Sequence, residues 1–289
     1  MSNLTALVEL ARPAQWIKNG FVLLPLFFGH ALFEPAALVG ALLATLAFCA
    51  ASSAVYAFND ARDVERDRAH PDKRSRPLAR GALSVQIAYR VAAVLALLAL
   101  AIAGTVDRLL VTVIGAYLVL QLAYSLGLKR VAWLDVVIVA SGFALRIVAG
   151  GIAAQVPLTS WILAMGFLLA LMLALGKRHG DLVHVDDSTA RATTGYRTMA
   201  IERVLTALAG AVIAAYVLYT LSPEVIARHG HRALVYSTPW VIVGVIRYLV
   251  LVFRDAGGGD PSRLAVRDPI LVLATAGWLA TLAVILYLR

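Results

Sequence analysis

The strongest constraint in this sequence is a series of long apolar runs separated by short charged segments. Each run has about 20 residues, the length that an α-helix needs to cross the hydrocarbon core of a bilayer. Of the 289 residues, 61% are hydrophobic and only 15% are charged, well outside the range of soluble domains. We therefore predict an all-α, polytopic membrane protein. Nine spanning helices are expected at about 17–33, 36–58, 84–104, 108–126, 133–153, 159–176, 204–221, 234–253 and 269–288.

The basic residues predict how these helices are oriented. Most of the 26 lysines and arginines fall in alternate segments, around 1–18, 59–83, 127–132, 177–203 and 254–268. The positive-inside rule then puts the N-terminus and these segments in the cytoplasm. The same rule accounts for the net charge of +9, so nucleic acid is not an expected partner. Little sequence remains outside the spans, and we predict a single integral-membrane domain over residues 1–289.

The loop after the second predicted span carries a dense cluster of oxygen-bearing side chains. Asn59, Asp63 and Asp67 follow one another at intervals of four, with Asp60 between the first two. If the helix continues beyond the membrane surface, three of these side chains stack on one face. Clustered carboxylates repel one another unless a cation lies between them, and hard oxygen ligands suit Mg²⁺. We predict that Asn59, Asp63 and Asp67 hold Mg²⁺.

A basic segment follows the aspartates directly and includes Lys73 and Arg76. Cationic side chains beside a metal and carboxylate cluster can neutralise the oxygens of a diphosphate. They can also offset the negative charge that develops on the diphosphate as it leaves. The alternative is a solvated loop whose mixed charges only satisfy membrane topology. The density of the acidic run favours a diphosphate site.

The aspartate run resembles the first aspartate-rich motif of the UbiA superfamily of intramembrane prenyltransferases. Other short matches lie along most of the chain and resemble the decaprenyl-phosphate phosphoribosyltransferase branch. These matches are Arg12-Pro13 with Trp16, Lys18 and Asn19, then Tyr124-Ser125, Lys129, Leu134-Asp135, Gly142 to Gly150, Gly176-Lys177-Arg178, Gly195-Tyr196 and Arg247-Tyr248. The resemblance implies about nine helices bundled around a central cavity that opens to the cytoplasmic side.

One later loop departs from the wider superfamily. Aromatic prenyltransferases commonly carry a second Asp-x-x-x-Asp motif there, whereas this chain has Lys177 and Arg178 followed by Asp181. Phosphoribosyl diphosphate carries a 5-phosphate as well as a diphosphate, so added positive charge suits this substrate. The alternative is that Lys177 and Arg178 only mark the cytoplasmic end of the sixth span, as the positive-inside rule predicts.

The resemblance implies an enzyme that moves 5-phosphoribosyl from phosphoribosyl diphosphate to a polyprenyl (decaprenyl) phosphate, with Mg²⁺ as cofactor. Its product would feed cell-wall arabinan synthesis. Asp60, Asp63 and Asp67 are the expected catalytic residues. The expected substrate-binding residues are Lys18, Asn59, Arg62, Lys73, Arg76, Tyr124, Lys129, Asp135, Arg146, Lys177 and Arg178. Two alternatives stay open: an aromatic prenyltransferase that uses polyprenyl diphosphate, and a transporter of anionic lipids.

Arg146 is unusual because it lies about two-thirds of the way along the fifth predicted span. It follows Asp135 by eleven residues, which returns it to nearly the same helix face. An arginine that faces lipid at this depth costs a few kcal/mol by insertion scales. We therefore expect Arg146 to face an internal polar cavity or to form a structural ion pair.

Overall fold

In a computed structural model, the described residues are 3–71, 73–183, 198–254, 264 and 267–288. The elements along this part of the chain are α1 (Asn3–Ala11), a 3₁₀ segment (Pro13–Leu23), α2 (Leu24–Phe28), α3 (Pro35–Arg62), α4 (Val64–Ala69), α5 (Val85–Val106), α6 (Arg108–Leu126), α7 (Leu134–Ala153), α8 (Ser160–Val183), α9 (Thr198–Leu221), α10 (Pro223–His229), α11 (Thr238–Arg254) and α12 (Pro269–Tyr287). Short 3₁₀ turns at Leu128–Arg130 and Ala233–Ser237 complete the described elements.

Eight of the described helices are long and apolar enough to cross a membrane. They are α3, α5, α6, α7, α8, α9, α12, and α11 together with the 3₁₀ turn before it. The prediction of an all-α, polytopic membrane protein is confirmed. The long spanning helices among the described residues number eight rather than nine, because the first predicted span has a different geometry.

That first span, predicted at about 17–33, is the 3₁₀ segment followed by the short helix α2. Gly20 and Pro25 both disfavour a continuous α-helix here. A 3₁₀ helix rises about 2.0 Å per residue and an α-helix about 1.5 Å, so the two elements together cover roughly 30 Å. This length matches the hydrocarbon core of a bilayer.

The chain forms two compact units, which we describe separately. Unit 1 comprises Met1–Lys129 and Gly142–Leu158. Its centre is α3, which is rich in alanine and packs against α5, α6 and the 3₁₀ segment. Phe48 of α3 is fully buried, as are Leu110 and Ile114 of α6. The small side chains of α3 allow its neighbours to approach closely, which is how helices associate inside membranes.

Unit 2 comprises Arg130–Ser141 and Thr159–Arg289. Its core lies between α8, α9, α11 and α12 and includes the fully buried Ile201 and Leu205 of α9. At the start of α12, Asp268 accepts hydrogen bonds from the guanidinium of Arg247 and from two backbone N–H groups of the first turn. These bonds, chiefly that from Arg247, hold the pKa of Asp268 below its usual range.

Gly150 of α7 lies close to the backbone of the 3₁₀ segment. A Cβ atom added there would overlap the carbonyl oxygen of Val22, whereas one added at Gly115 of α6 would meet nothing within 4 Å. We expect Gly150→Ala to lower the free energy of unfolding by at least about 1 kcal/mol. Gly115→Ala should be neutral or slightly stabilising. Thermal unfolding in detergent compares the two variants, and equal melting temperatures would contradict this packing.

Candidate active site at the aspartate loop

The predicted aspartate cluster lies where α3 ends and α4 begins. Asn59 and Asp60 belong to the last turn of α3, Asp63 lies at the junction, and Asp67 belongs to α4. The chain bends at Asp63, but the four-residue hydrogen bonds persist across the bend. The N–H of Asp63 donates to the carbonyl of Asn59 at 2.9 Å, and the N–H of Asp67 donates to the carbonyl of Asp63 at 2.8 Å. The helical spacing predicted for these residues is therefore kept despite the break in the helix.

Lys129 joins two of the predicted residues. Its Nζ lies 3.2 Å from Oδ1 of Asn59, and 2.9 and 2.7 Å from the two carboxylate oxygens of Asp63. The side chains of Lys129 and Asp63 are only 11% and 15% exposed. Oxygens from two successive turns thus converge on one positively charged nitrogen, within largely buried surroundings.

Arg76 joins the other two carboxylates. Its Nη1 donates to Asp67 at 2.6 Å and to Asp60 at 3.1 Å. Arg12 also binds Asp60, because its Nη2 lies 2.5 and 2.8 Å from the two carboxylate oxygens. Asp60 and Asp67 are both almost fully buried. Carboxylates in such surroundings require compensating positive charge, which these two arginines supply.

The contacts therefore divide the predicted metal ligands into two pairs. Asn59 and Asp63 share Lys129, while Asp67 shares Arg76 with Asp60. Among the described contacts, three carboxylates pair with three cationic side chains, so these six charges balance. In the part of the chain that the structure describes, no three His, Cys, Asp or Glu side chains gather as a metal site. The donors nevertheless fit Mg²⁺, which commonly takes one or two carboxylates and completes its coordination with substrate phosphates and water.

Four other predicted site residues belong to unit 1. Lys18 is half-buried in the 3₁₀ segment, and Lys73 is half-buried in the loop after α4. Arg62 is exposed in the last turn of α3, and Tyr124 is half-buried in the last turn of α6.

Arg146 is buried in unit 1 and is surrounded by neutral groups. Its Nε donates to Oδ1 of Asn19 at 2.8 Å, its Nη1 to the carbonyl of Gly142 at 2.9 Å, and its Nη2 to the hydroxyl of Tyr117 at 3.2 Å. The guanidinium carbon lies 4.9–5.4 Å from the ring centroids of Phe48, Tyr117 and Phe143. Among the described residues Arg146 has no carboxylate partner, so this part of the chain gives no support to the ion-pair alternative. Amide, carbonyl, hydroxyl and aromatic groups stabilise its charge instead.

The remaining predicted residues, Asp135, Lys177 and Arg178, belong to unit 2. The Nε of Arg178 donates to Asp135 at 2.5 Å and its Nη1 donates to Asp181 at 3.0 Å. Asp135 is almost fully buried, whereas Lys177 is exposed. Two carboxylates therefore offset the charge of Arg178 and leave Lys177 as the more accessible cation of the pair.

Comparison with known proteins identifies the family of the chain. Residues 22–267 match the model of the UbiA prenyltransferase family. The chain belongs to this family. Two relatives match nearly the whole chain, and both are named decaprenyl-phosphate phosphoribosyltransferase. The protein of Mycolicibacterium smegmatis is 36% identical over 98% of this chain and 93% of its own length. That of Corynebacterium glutamicum is 33% identical over 98% of this chain and 87% of its own length.

The fold is also that of UbiA proteins. A UbiA homologue from Archaeoglobus fulgidus, solved with DMAPP and Mg²⁺, has a TM-score of 0.75 over 98% of this chain and 99% of its own. The sequence identity is 18%, so this likeness concerns the fold. The resemblance inferred from the sequence motifs is confirmed.

Arg12 is the residue of the aspartate cluster that sequence reasoning missed. It was part of a recognised motif, Arg12-Pro13, but nothing in the local pattern indicated that it binds Asp60, 48 positions away. Its location before the first apolar run suggested only a topological role.

Removing Arg76 tests the charge balance of the cluster. In Arg76→Met, Asp67 loses its ion-pair partner while staying buried, so we expect a loss of stability on the order of 3 kcal/mol. The matched control is Arg68→Met in the same region, because Arg68 pairs with Glu65, whose side chain is 81% exposed. That variant should lose at most about 1 kcal/mol. Thermal unfolding in detergent measures both, and similar losses would refute the buried pairing.

Proposed function

We propose that this member of the UbiA family transfers 5-phosphoribosyl from phosphoribosyl diphosphate to a polyprenyl phosphate, with release of diphosphate. Two relatives with this activity in their name, each matched over nearly the whole chain, are the main support. The balanced cluster of carboxylates and cations at the end of α3 is the feature of unit 1 that suits a diphosphate. By the names of the same relatives, the acceptor is decaprenyl phosphate.

In this proposal Asn59, Asp63 and Asp67 hold Mg²⁺, with Asp60 beside them. When bound, Mg²⁺ supplies positive charge that offsets the charge of the departing diphosphate. Lys129 and Arg76, which are now paired with Asp63 and Asp67, are proposed to donate hydrogen bonds to phosphate oxygens when the substrate binds. Charge-assisted bonds of this kind are the strongest that side chains offer a phosphate.

The acceptor needs little activation from the protein. A phosphate monoester is already anionic at neutral pH, because its second pKa is about 6. One of its oxygens attacks the anomeric carbon of the ribosyl group as the bond to diphosphate breaks. The protein therefore needs to orient two anionic substrates and neutralise their repulsion, and a general base is not required.

The other predicted substrate-binding residues, except Arg146, remain part of the proposal. Lys18, Arg62 and Lys73 are proposed to neutralise phosphate oxygens. Tyr124, five residues before Lys129 in the last turn of α6, is a proposed substrate contact. In unit 2, the exposed Lys177 is the proposed ligand of the 5-phosphate, and Asp135 orients Arg178 through their hydrogen bond.

We also propose that the N-terminus and the aspartate loop face the cytoplasm, and that residues 1–289 act as a single transferase domain. The distribution of lysine and arginine supports this orientation. It also suits the substrates, since a water-soluble sugar diphosphate arrives from the cytoplasm while a polyprenyl tail stays in lipid.

The decisive assay supplies the purified protein with Mg²⁺, ribosyl-labelled phosphoribosyl diphosphate and decaprenyl phosphate. We expect labelled lipid and an equal amount of diphosphate. A parallel reaction contains polyprenyl diphosphate and an aromatic acceptor such as 4-hydroxybenzoate. Product in the second reaction alone would make the protein an aromatic prenyltransferase. Movement of lipid phosphate across vesicles, without product in either reaction, would make it a transporter.

Two nearly isosteric substitutions test the aspartate site. Asp63→Asn and Asp67→Asn remove a negative charge each with little change of shape, and we expect turnover to fall at least about 100-fold while the protein stays folded. Glu65→Gln is the matched control, since Glu65 lies between them on the exposed side of α4. It should retain wild-type turnover. Full activity in either aspartate variant would count against the proposed site.

A further inference from the structure

The 3₁₀ segment in unit 1 has a backbone conformation that depends on tertiary contacts for its stability. It runs for 11 residues, whereas 3₁₀ helices longer than three or four residues are uncommon because their hydrogen bonds are poorly aligned. It also begins after Arg12, whose φ of 53° and ψ of 59° lie in the left-handed region. That conformation costs a non-glycine residue about 1–2 kcal/mol. Such strain persists only where surrounding contacts fix the backbone.

Asn19 provides the first of these contacts. Its side chain is fully buried and uses both ends of its amide. The Nδ2 donates to Sγ of Cys49 and Oγ of Ser52, at 3.2 and 3.4 Å, and the Oδ1 accepts from Nε of Arg146 at 2.8 Å. One residue of the 3₁₀ segment is therefore fixed to α3 and to α7 at the same time.

Arg146 determines which way that amide points. Its three side-chain nitrogens each have an acceptor, and the guanidinium is planar and rigid, so Asn19 must present its oxygen to α7. The amide nitrogen then faces α3. A lysine could keep the positive charge but could not reproduce this fork of donors.

Ser53 provides the second contact, next to Arg12. Its hydroxyl donates to the carbonyl of Ala11 at 2.7 Å and accepts from Nε1 of Trp16 at 3.0 Å. The carbonyl of Ala11, just before Arg12, and the indole of Trp16, shortly after it, are therefore both hydrogen-bonded to the hydroxyl of Ser53. The guanidinium of Arg12 reaches Asp60 from this position and lies over the ring of Tyr56.

We propose that Asn19, Arg146 and Ser53 are positioning residues that hold the 3₁₀ segment so that Arg12 can neutralise Asp60. The inference rests on the proposed function, because its effect is on binding of the diphosphate substrate. If the segment shifts, Asp60 keeps Arg76 but loses both hydrogen bonds from Nη2 of Arg12. The added negative charge then repels a diphosphate. None of the three positioning residues needs to touch a substrate.

A double-mutant cycle tests whether Asn19 acts on substrate binding through Arg12. We expect Asn19→Ala and Arg12→Ala each to raise the KM for phosphoribosyl diphosphate on the order of tenfold, as for loss of one charged hydrogen bond. The KM for the polyprenyl phosphate should change little. The double variant should be no worse than Arg12→Ala alone, because both changes remove the same interaction.

The control is Thr220→Ala in α9, another fully buried polar side chain, which donates to the carbonyl of Val217. It should lower the melting temperature without changing the KM. Effects that add in the double variant, or an unchanged KM in Asn19→Ala, would overturn the proposal. If Asn19→Ala does not fold, Ser53→Ala and Trp16→Phe take its place, and an unchanged KM in both has the same meaning.

A second readout separates this inference from the proposed function. Inorganic diphosphate with Mg²⁺ should raise the melting temperature of the wild-type protein by mass action, and raise that of Asn19→Ala less. If the wild type transfers no phosphoribosyl group, the proposed function fails, yet this comparison still tests the positioning role. Equal stabilisation of both proteins would overturn it.

Discussion

The structure of unit 1 depends on the neutralisation of carboxylates at the end of a membrane helix. Asp60 and Asp67 are almost fully buried, and a buried carboxylate is strongly destabilising unless a cation accompanies it. The required cations come from distant parts of the chain: Arg12 precedes α3, and Arg76 follows α4. The same charges that suit a diphosphate therefore also hold the N-terminal segment and the loop after α4 against α3. The ion pairs of Asp60 and Asp67 with Arg12 and Arg76 therefore serve both the fold and the proposed binding site.

Arg146 shows a different solution to the same problem. Its charge is buried in α7, no described carboxylate contacts it, and amide, carbonyl, hydroxyl and aromatic groups stabilise it. An ion pair at this place would bring a second buried charge and a second desolvation cost. Neutral partners avoid that cost and give the guanidinium a fixed direction. The residue thus serves as a rigid bridge between α7 and the 3₁₀ segment.

Hydropathy was sufficient to predict the eight long membrane helices of the described residues, because the bilayer sets both their length and their composition. The predicted span at 108–126 coincides with α6, and that at 269–288 differs from α12 by one residue. The four-residue spacing predicted Asn59, Asp63 and Asp67 on one helix face. Asn59 and Asp63 share Lys129, whereas Asp67 contacts Arg76. The pairing of Arg12 with Asp60 could not be predicted, since a contact over 48 positions leaves no local periodicity. The 3₁₀ geometry was missed because apolar content is the same for either kind of helix.

The 3₁₀ segment imposes a register of three residues on this part of the chain. In a 3₁₀ helix the side chains at positions i and i+3 lie directly above one another. Trp16, Asn19 and Val22 follow this spacing: the first two bind serines of α3, and the third is fully buried. Deleting a single residue between Pro13 and Leu23 would turn every later side chain by about a third of a circle. Insertions and deletions should therefore be tolerated far less here than in the loops of the same chain.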